Sequence, residues 1–196
     1  MKIAALFGGA ATGLFVAFLQ YMIQLNEHRD IERFKKLGIR EVLAHREGKE
    51  YYAKLIEGSR ARVWVLGNTA NRFLEDFAHV HREDSRALLD ALARGVRVRI
   101  LLPLPHYLSE ADQARSAVSL KRMRELSLES RNFEFKFYDH QPAHSLVVVD
   151  DECLVGPIFP HVESRDSPAI HTHTGSSFVK HYMTHFEQEW ASAREV

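Results

Sequence analysis

The residues best suited to chemistry in this chain lie in one segment of its last third. His144 begins the apolar run HSLVVV, and Asp151 follows seven positions later. Alternate side chains of a strand share a face, so His144, Leu146 and Val148 are predicted to project from the same side. An imidazole at the mouth of a buried strand needs a polar partner, and it can attack an electrophile or transfer a proton. His144 and Asp151 are therefore the candidate functional residues of this segment.

This segment resembles the signature of the phospholipase D superfamily, His-x-Lys-x4-Asp on a strand–turn–strand hairpin. His144 and Asp151 match its first and last residues at the right spacing. The resemblance covers roughly residues 38–196, where LLDALARGVRVRILLPLP, ARVWVLGNTANRFLEDF and HFEQEWASA look like further units of that family. Gly38-Ile39 with Arg46, and PAHSL at the hairpin, are similar to a bacterial branch often found in regulatory or defence contexts.

The resemblance implies phosphodiester chemistry in which one motif's His attacks phosphorus and a second motif's His protonates the leaving group. A chain with one motif must then dimerise to build a site. Leu146 stands at the lysine position, and the Gly-Ser-x-x-Asn that follows in the family is missing. Loss of the motif's lysine removes on the order of a few kcal/mol of transition-state stabilisation from each half-site. These departures favour a catalytically degenerate domain.

Three functions are compatible with this pattern. The leading hypothesis is a domain that binds a phosphate-bearing ligand, a nucleotide or a lipid headgroup, as a sensor or membrane effector. The alternative is an active homodimeric phosphodiesterase, a nuclease or phospholipase with His144 as its nucleophile. A third is a purely structural partner module. Dependence of binding or cleavage on His144 separates the three.

A second group of residues, near the carboxyl end, is predicted to bind the ligand. Backbone N–H groups of HTHTGSS at the start of the last helix suit a phosphate, and nearby cations are candidates to fill the missing lysine position. The predicted ligand-binding residues are His171, His173, Gly175, Ser176, Ser177, Lys180 and Arg165.

Histidines of the same region also have spacings that metal sites use. His171 and His173 are one residue apart, and His181, His185 and Glu189 form a row at helical spacing. That row is equally the polar face of an amphipathic helix. The resembled family uses no metal for its chemistry, so the expectation is no metal and no cofactor.

Alternating strand and helix patterns position these residues in an α/β domain layered helix–sheet–helix. A phospholipase D-like domain of this class is the predicted fold, preceded by one amino-terminal transmembrane helix. The predicted strands are 62–66, 96–102, 133–138, 145–149 and one from 153, and the predicted helices are 48–57, 71–93, 110–128 and about 176–194.

Composition narrows the function classes. The 196 residues include 26 basic and 26 acidic side chains, so the formal charge is zero and a generally basic nucleic-acid binder is excluded. Cys153 is the one cysteine, which excludes a disulfide framework and a thiolate zinc site.

The amino end reads as a membrane anchor. Residues 3–23 carry no charged side chain and are long enough to cross a bilayer as a helix. A charged helical stalk is predicted at 24–37, and its basic residues place the amino terminus outside and domain 38–196 in the cytoplasm. Gly9 and Gly13 form a GxxxG that favours helix pairing. The expected partners are the membrane, further copies of the chain (a dimer or higher oligomer), and a phosphate-containing small molecule or nucleic acid.

Overall fold

The computed structural model describes residues 2–46, 48–159 and 162–194, without the side chains of 2–12, 27 and 30. The chain forms two compact units, one up to Gly38 and one from Ile39 onward. The first unit is helix α1 (Lys2–Lys36), which is followed by Gly38 at a φ of 75°. Glycine adopts this left-handed conformation without steric cost, so the helix ends there.

The predicted membrane anchor is wrong. Its apolar run and the charged stalk form one unbroken helix, α1, whose last turns carry Arg33, Lys35 and Lys36. In the part of the chain that is described, no helix combines the length and the apolar character that crossing a membrane requires. The predicted single-pass topology, with the amino terminus outside and the domain in the cytoplasm, depends on the anchor and is therefore wrong as well.

The second unit is built on one sheet, which has seven strands among the described residues. The three strands β2, β3 and β4 run parallel, and each of the other neighbouring pairs is antiparallel. The strands are β1 (Ile39–Leu43), β2 (Arg62–Leu66), β3 (Arg97–Pro103), β4 (Phe133–Tyr138), β5 (His144–Val149), β6 (Glu152–Pro157) and β7 (Ala169–His173), in the order β1-β7-β6-β5-β2-β3-β4.

Helices cover both faces of this sheet, which confirms the predicted mixed α/β, helix–sheet–helix layering. One face packs its branched side chains, such as Val63 and Ile100, against four helices. The other face packs Trp64 and Leu146 against the last helix. The first four are α2 (Lys49–Glu57), α3 (Asn71–Phe77), α4 (Ala87–Ala93) and α5 (Glu110–Glu129), and the last is α6 (Lys180–Ser192).

Several predicted boundaries differ from the observed ones. The single helix expected over 71–93 is two helices, because the polar stretch between α3 and α4 turns back on itself through a bond from His79 N–H to the Ser85 carbonyl. Strands β1 and β7 were not predicted. The final helix begins at Lys180 rather than near Ser176, since the Ser176 hydroxyl accepts the Val179 N–H in the turn before it.

The topology brings the ends of five strands to one edge of the sheet. Parallel strands β2 to β4 end there, antiparallel β5 begins there, and β6 ends there. Leu66 pairs with Leu146, Pro103 with Tyr138, and His144 with Pro157. We call this the His144 edge. The opposite edge, which holds the tight turn between β5 and β6 at residues 150–151, is the turn edge.

Candidate functional site

His144 opens β5 and turns its half-buried ring toward α6. The ring centroid lies 5.0 Å from that of Tyr182 and 5.2 Å from that of His185. Burial, with smaller contributions from the nearby His185 and His140, lowers the pKa of His144 from 6.5 to about 4. The imidazole is therefore neutral at pH 7, in the state that an electron-pair donor requires.

The His144 edge holds an unusual set of polar atoms. Among the described residues, the buried side-chain nitrogens and oxygens without a hydrogen-bond partner are Arg46 Nε, Asn68 Oδ1, Tyr138 Oη and His144 Nε2. Asn68 lies two residues beyond β2, Tyr138 ends β4, and Arg46 donates through Nη2 to the Pro157 carbonyl at 3.0 Å, so all four residues lie near this edge. The Arg46 guanidinium is on the face that α2 covers, near Tyr52, whereas the His144 ring is on the face that α6 covers. Each such atom costs about 1–3 kcal/mol, and a polar ligand that satisfies them recovers this energy.

Arg46 brings a positive charge to the same edge. Burial lowers the pKa of its guanidinium, an effect that Tyr52 opposes and Arg72 reinforces. A guanidinium remains protonated in proteins even so. Its Nη2 lies 3.4 Å from where a Cβ on Gly156 would stand, and the Pro168 carbonyl would lie within 2.3 Å of that Cβ. A glycine at 156 is thus needed because the backbone at Pro168 passes so close to β6, and Arg46 packs beside it.

Leu146, at the lysine position of the motif, belongs to the apolar core. It is fully buried under α6 together with Val179 and Phe186. The same cluster contains Trp64, whose ring stacks on Phe186 at 5.1 Å. A cation therefore has no polar surroundings at this position, and the cations expected to fill it lie elsewhere. Arg165 pairs with Glu163 at 2.8 Å, and Lys180 is exposed at the start of α6.

The predicted partner of His144 lies at the opposite edge. Asp151 is exposed in the turn after β5, roughly 20 Å along the strand from His144, and its carbonyl accepts the Thr174 N–H at 2.8 Å. Its neighbour Asp150, at a φ of 51°, accepts the backbone N–H groups of residues 60–62 at 2.8–2.9 Å. Burial alone would raise the pKa of Asp150, but these bonds outweigh it and hold the pKa below its usual value.

Most of the predicted ligand-binding residues likewise belong to the fold or to the turn edge. His171 is buried between Tyr51 Oη and Glu152 Oε2, the latter at 2.8 Å. The Ser176 hydroxyl accepts from Thr172 Oγ1 at 2.9 Å. His173 pairs with Glu152 where β6 leaves the turn. Gly175 and Ser177 are exposed in the loop before α6. The structure does not gather these residues around His144.

Sequence patterns did not predict that His140, His185 and Glu189 lie together near His144. His140 Nε2 lies 3.2 Å from Glu189 Oε2, and His185 Nδ1 lies 3.8 Å from Glu189 Oε1. One ligand atom from each of the three can be chosen so that all lie within 4.8 Å of one another. The helical row of His185 and Glu189 was visible in the sequence. His140, in the loop between β4 and β5, carried no pattern that linked it to α6.

Comparisons with known proteins bear on the fold. No family model matches the chain, and no curated protein matches it either. Among solved structures, it is similar to TrmBL2, an archaeal chromatin protein whose structure shows a novel mode of DNA binding. The TM-score is 0.50 at 12% identity, over 91% of this chain and 65% of that one. This chain thus spans less than two thirds of TrmBL2, and the likeness concerns the fold alone.

Two further solved structures are also similar in fold. Nuc from Salmonella typhimurium, a phospholipase D family member, has a TM-score of 0.46 and 15% identity, over 76% of this chain and 90% of Nuc. NucT from Helicobacter pylori has a TM-score of 0.46 and 10% identity, over 75% of this chain and 89% of NucT. At these scores the overlays carry no inference about the chemistry of this chain, which has to come from its own residues.

Proposed function

We propose that this chain is a phospholipase D-like domain that binds a phosphate-bearing ligand at the His144 edge without efficient turnover. The observation that carries the proposal is the set of four buried atoms without a hydrogen-bond partner, on Arg46, Asn68, Tyr138 and His144, which are all residues at or near the same strand ends. Ligands of α/β sheets commonly bind outside the carboxyl ends of parallel strands, which is where β2 to β4 end.

The chemistry of these four groups fits a phosphate ester. The Arg46 guanidinium and the Tyr138 hydroxyl offer N–H and O–H donors to phosphate oxygens, and the Arg46 charge offsets that of the ligand. Asn68 Oδ1 is an acceptor, while its Nδ2 already donates to Asp112 Oδ2 at 3.1 Å. Satisfying that oxygen requires an O–H or N–H donor on the ligand, and nucleotides and lipid headgroups carry such donors outside their phosphate.

Two observations oppose efficient cleavage. Leu146 is fully buried in the apolar core, so the positive charge that would stabilise the transition state is missing from its usual position. Asp151, the other catalytic residue that the motif predicts, lies roughly 20 Å along the strand from His144. Both support binding over hydrolysis. The homodimer and the catalytic use of Asp151 stay predictions.

The test is calorimetry on the full chain with a nucleoside monophosphate, phosphoethanolamine and inorganic phosphate, beside hydrolysis of bis-(p-nitrophenyl) phosphate. We expect saturable binding of one of the two esters, weaker binding of inorganic phosphate, and no hydrolysis that depends on His144. His144→Gln and Tyr138→Phe should each weaken binding about tenfold, the equivalent of one hydrogen bond.

Asp151→Asn, at the turn edge, is the matched control and should bind as the unmodified chain does. Equal affinity in all variants, or no binding of either ester, would contradict the proposal. Cleavage that disappears in His144→Gln would replace it with the active phosphodiesterase alternative.

A further inference from the structure

The cluster of His140, His185 and Glu189 has a use beyond packing. Two imidazoles and a carboxylate converge beside His144, on the face of the sheet that α6 covers. We infer that these three side chains bind a divalent transition-metal ion of the Zn²⁺ type, and that the ion supplies the positive charge that Leu146 cannot. The second half of this inference rests on the proposed function.

The separations of the ligand atoms suit such an ion. Zn²⁺ binds imidazole nitrogen and carboxylate oxygen at about 2.0–2.2 Å in tetrahedral geometry, which sets neighbouring ligand atoms roughly 3.4 Å apart. His140 Nε2 and Glu189 Oε2 are 3.2 Å apart, and His185 Nδ1 and Glu189 Oε1 are 3.8 Å apart. One ligand atom of each side chain can be chosen so that all three lie within 4.8 Å of one another, near the separation that a shared ion requires.

Groups behind the ligands hold them in the required orientation. His140 Nδ1 lies 2.9 Å from the Gln141 carbonyl, so the ring can donate there and leave Nε2 free to bind a metal. The Tyr138 ring packs on His140 with centroids 4.5 Å apart. His185 and Glu189 are one helical turn apart on α6 and therefore share a face.

An ion pair between protonated His140 and Glu189 is the simpler account of this geometry. It explains the 3.2 Å contact, but it does not explain why His185 Nδ1 also faces the second carboxylate oxygen. A single divalent ion can bind one donor atom from each of the three side chains.

The ion also removes an electrostatic conflict at the proposed ligand site. Without it, Glu189 places a negative charge near the Tyr138 hydroxyl, one of the proposed phosphate donors. With it, the local charge becomes positive. Three protein ligands leave a fourth coordination position open, as in catalytic zinc sites, and a phosphate oxygen can occupy that position.

The test uses the full chain stripped with a chelator and titrated with Zn²⁺ by calorimetry, with Co²⁺ as a spectroscopic probe of coordination. We expect one ion per chain and a visible Co²⁺ spectrum of four-coordinate type. His185→Gln and Glu189→Gln should each weaken Zn²⁺ binding about 100-fold or more, since even the partners of metal ligands contribute 10–100-fold.

Matched controls lie on the same helix. His181→Gln and Glu187→Gln change an exposed histidine and an exposed carboxylate of α6 and should leave Zn²⁺ binding unchanged. Absence of Zn²⁺ binding, or equal weakening by control and test variants, would overturn the metal site. Thermal unfolding of each variant shows that it is folded before it is titrated.

A second titration, of the phosphate ester with and without Zn²⁺, separates the two proposals. Ester binding that rises at least tenfold with Zn²⁺, and does not rise in Glu189→Gln, supports both. Ester binding at the His144 edge that ignores Zn²⁺ overturns the inferred role of the ion and leaves the proposed function standing. Zn²⁺ binding without ester binding overturns the proposed function and leaves the metal site standing.

Discussion

The two ends of the β5–β6 hairpin treat their polar groups in opposite ways. At the turn edge, Asp150 accepts three backbone N–H groups, and β2 and β5 are tied together by them. At the His144 edge, the His144 ring nitrogen and the Tyr138 hydroxyl are buried and have no partner among the described residues. Strand β5 thus begins beside buried polar groups that lack hydrogen bonds, and it ends beside a carboxylate whose hydrogen bonds are formed.

This difference in hydrogen bonding distinguishes the residues that stabilise the fold from those that could bind a ligand. Polar groups that are fully paired stabilise the native state, whereas buried groups without partners destabilise it and are retained where they serve a ligand. The histidine of the motif therefore belongs to a candidate site, and Asp150, the neighbour of the motif's aspartate, belongs to the architecture. Changes at the two edges should consequently have opposite effects on stability, and the middle of the strand should tolerate no charge.

The largest effect is expected in the middle of β5. Leu146→Lys restores the residue of the resembled motif but places a charge in the apolar cluster, so the free energy of unfolding should fall by about 3–5 kcal/mol. Urea denaturation measures this, with Leu146→Met as the control at less than about 1.5 kcal/mol. A stable Leu146→Lys protein that cleaves bis-(p-nitrophenyl) phosphate would show that this position reaches substrate.

At the turn edge, Asp150→Asn should lower the free energy of unfolding by about 1–2 kcal/mol, because charge-assisted bonds become neutral ones. Asparagine tolerates the left-handed backbone, so strain does not confuse the result. The pKa of Asp150 is lower when folded, so its contribution is present above 3.8 and disappears as pH falls through the folded value. Unfolding curves of the two proteins should converge in acid.

Asp151→Asn is the control for that experiment and should change stability by less than about 0.5 kcal/mol, as exposed substitutions do. A loss from Asp151→Asn as large as that from Asp150→Asn would mean that the turn edge is held by different bonds.

At the His144 edge, the sign should reverse. Tyr138→Phe removes a buried hydroxyl without a partner and should raise the free energy of unfolding by about 1 kcal/mol while weakening ligand binding. Tyr107→Phe is the matched control, since its hydroxyl donates to Asp139 Oδ1 at 3.1 Å. Destabilisation by Tyr138→Phe, measured by thermal and urea unfolding, would show that this hydroxyl is paired in solution.

The smallest effect concerns the interior of β6. Burial raises the pKa of the Cys153 thiol to about 12. Arg62 lowers this pKa and Glu152 raises it, and both effects are smaller than that of burial. The thiolate is the reactive form, so the folded protein should not react measurably with iodoacetamide at pH 8, whereas the urea-unfolded chain should react. Rapid labelling of the folded protein would mean that the hairpin opens.

The sequence predicted the central strands and the motif histidine because alternation along β5 is a local signal. It missed β1, an edge strand with exposed Arg40, Glu41 and Val42, because an exposed strand lacks the alternating pattern. The anchor was inferred from a count of uncharged residues, and that inference failed.

The site itself depends on contacts that no local pattern encodes. Periodicity placed His185 and Glu189 on one helix face, yet only the packing of α6 across the sheet brings them to His140 and His144. The spacing of the motif predicted that Asp151 acts together with His144. The extended geometry of β5 puts it at the far end of the strand.

The most direct test of the account is the position of a phosphate mimic in a crystal of the full chain soaked with tungstate, whose heavy atom is unambiguous. We expect tungstate at the His144 edge, within hydrogen-bonding distance of Arg46 or Tyr138. Tungstate at Gly175–Ser177 beside Lys180, with none at the His144 edge, would contradict the account and return the ligand site to the loop before α6.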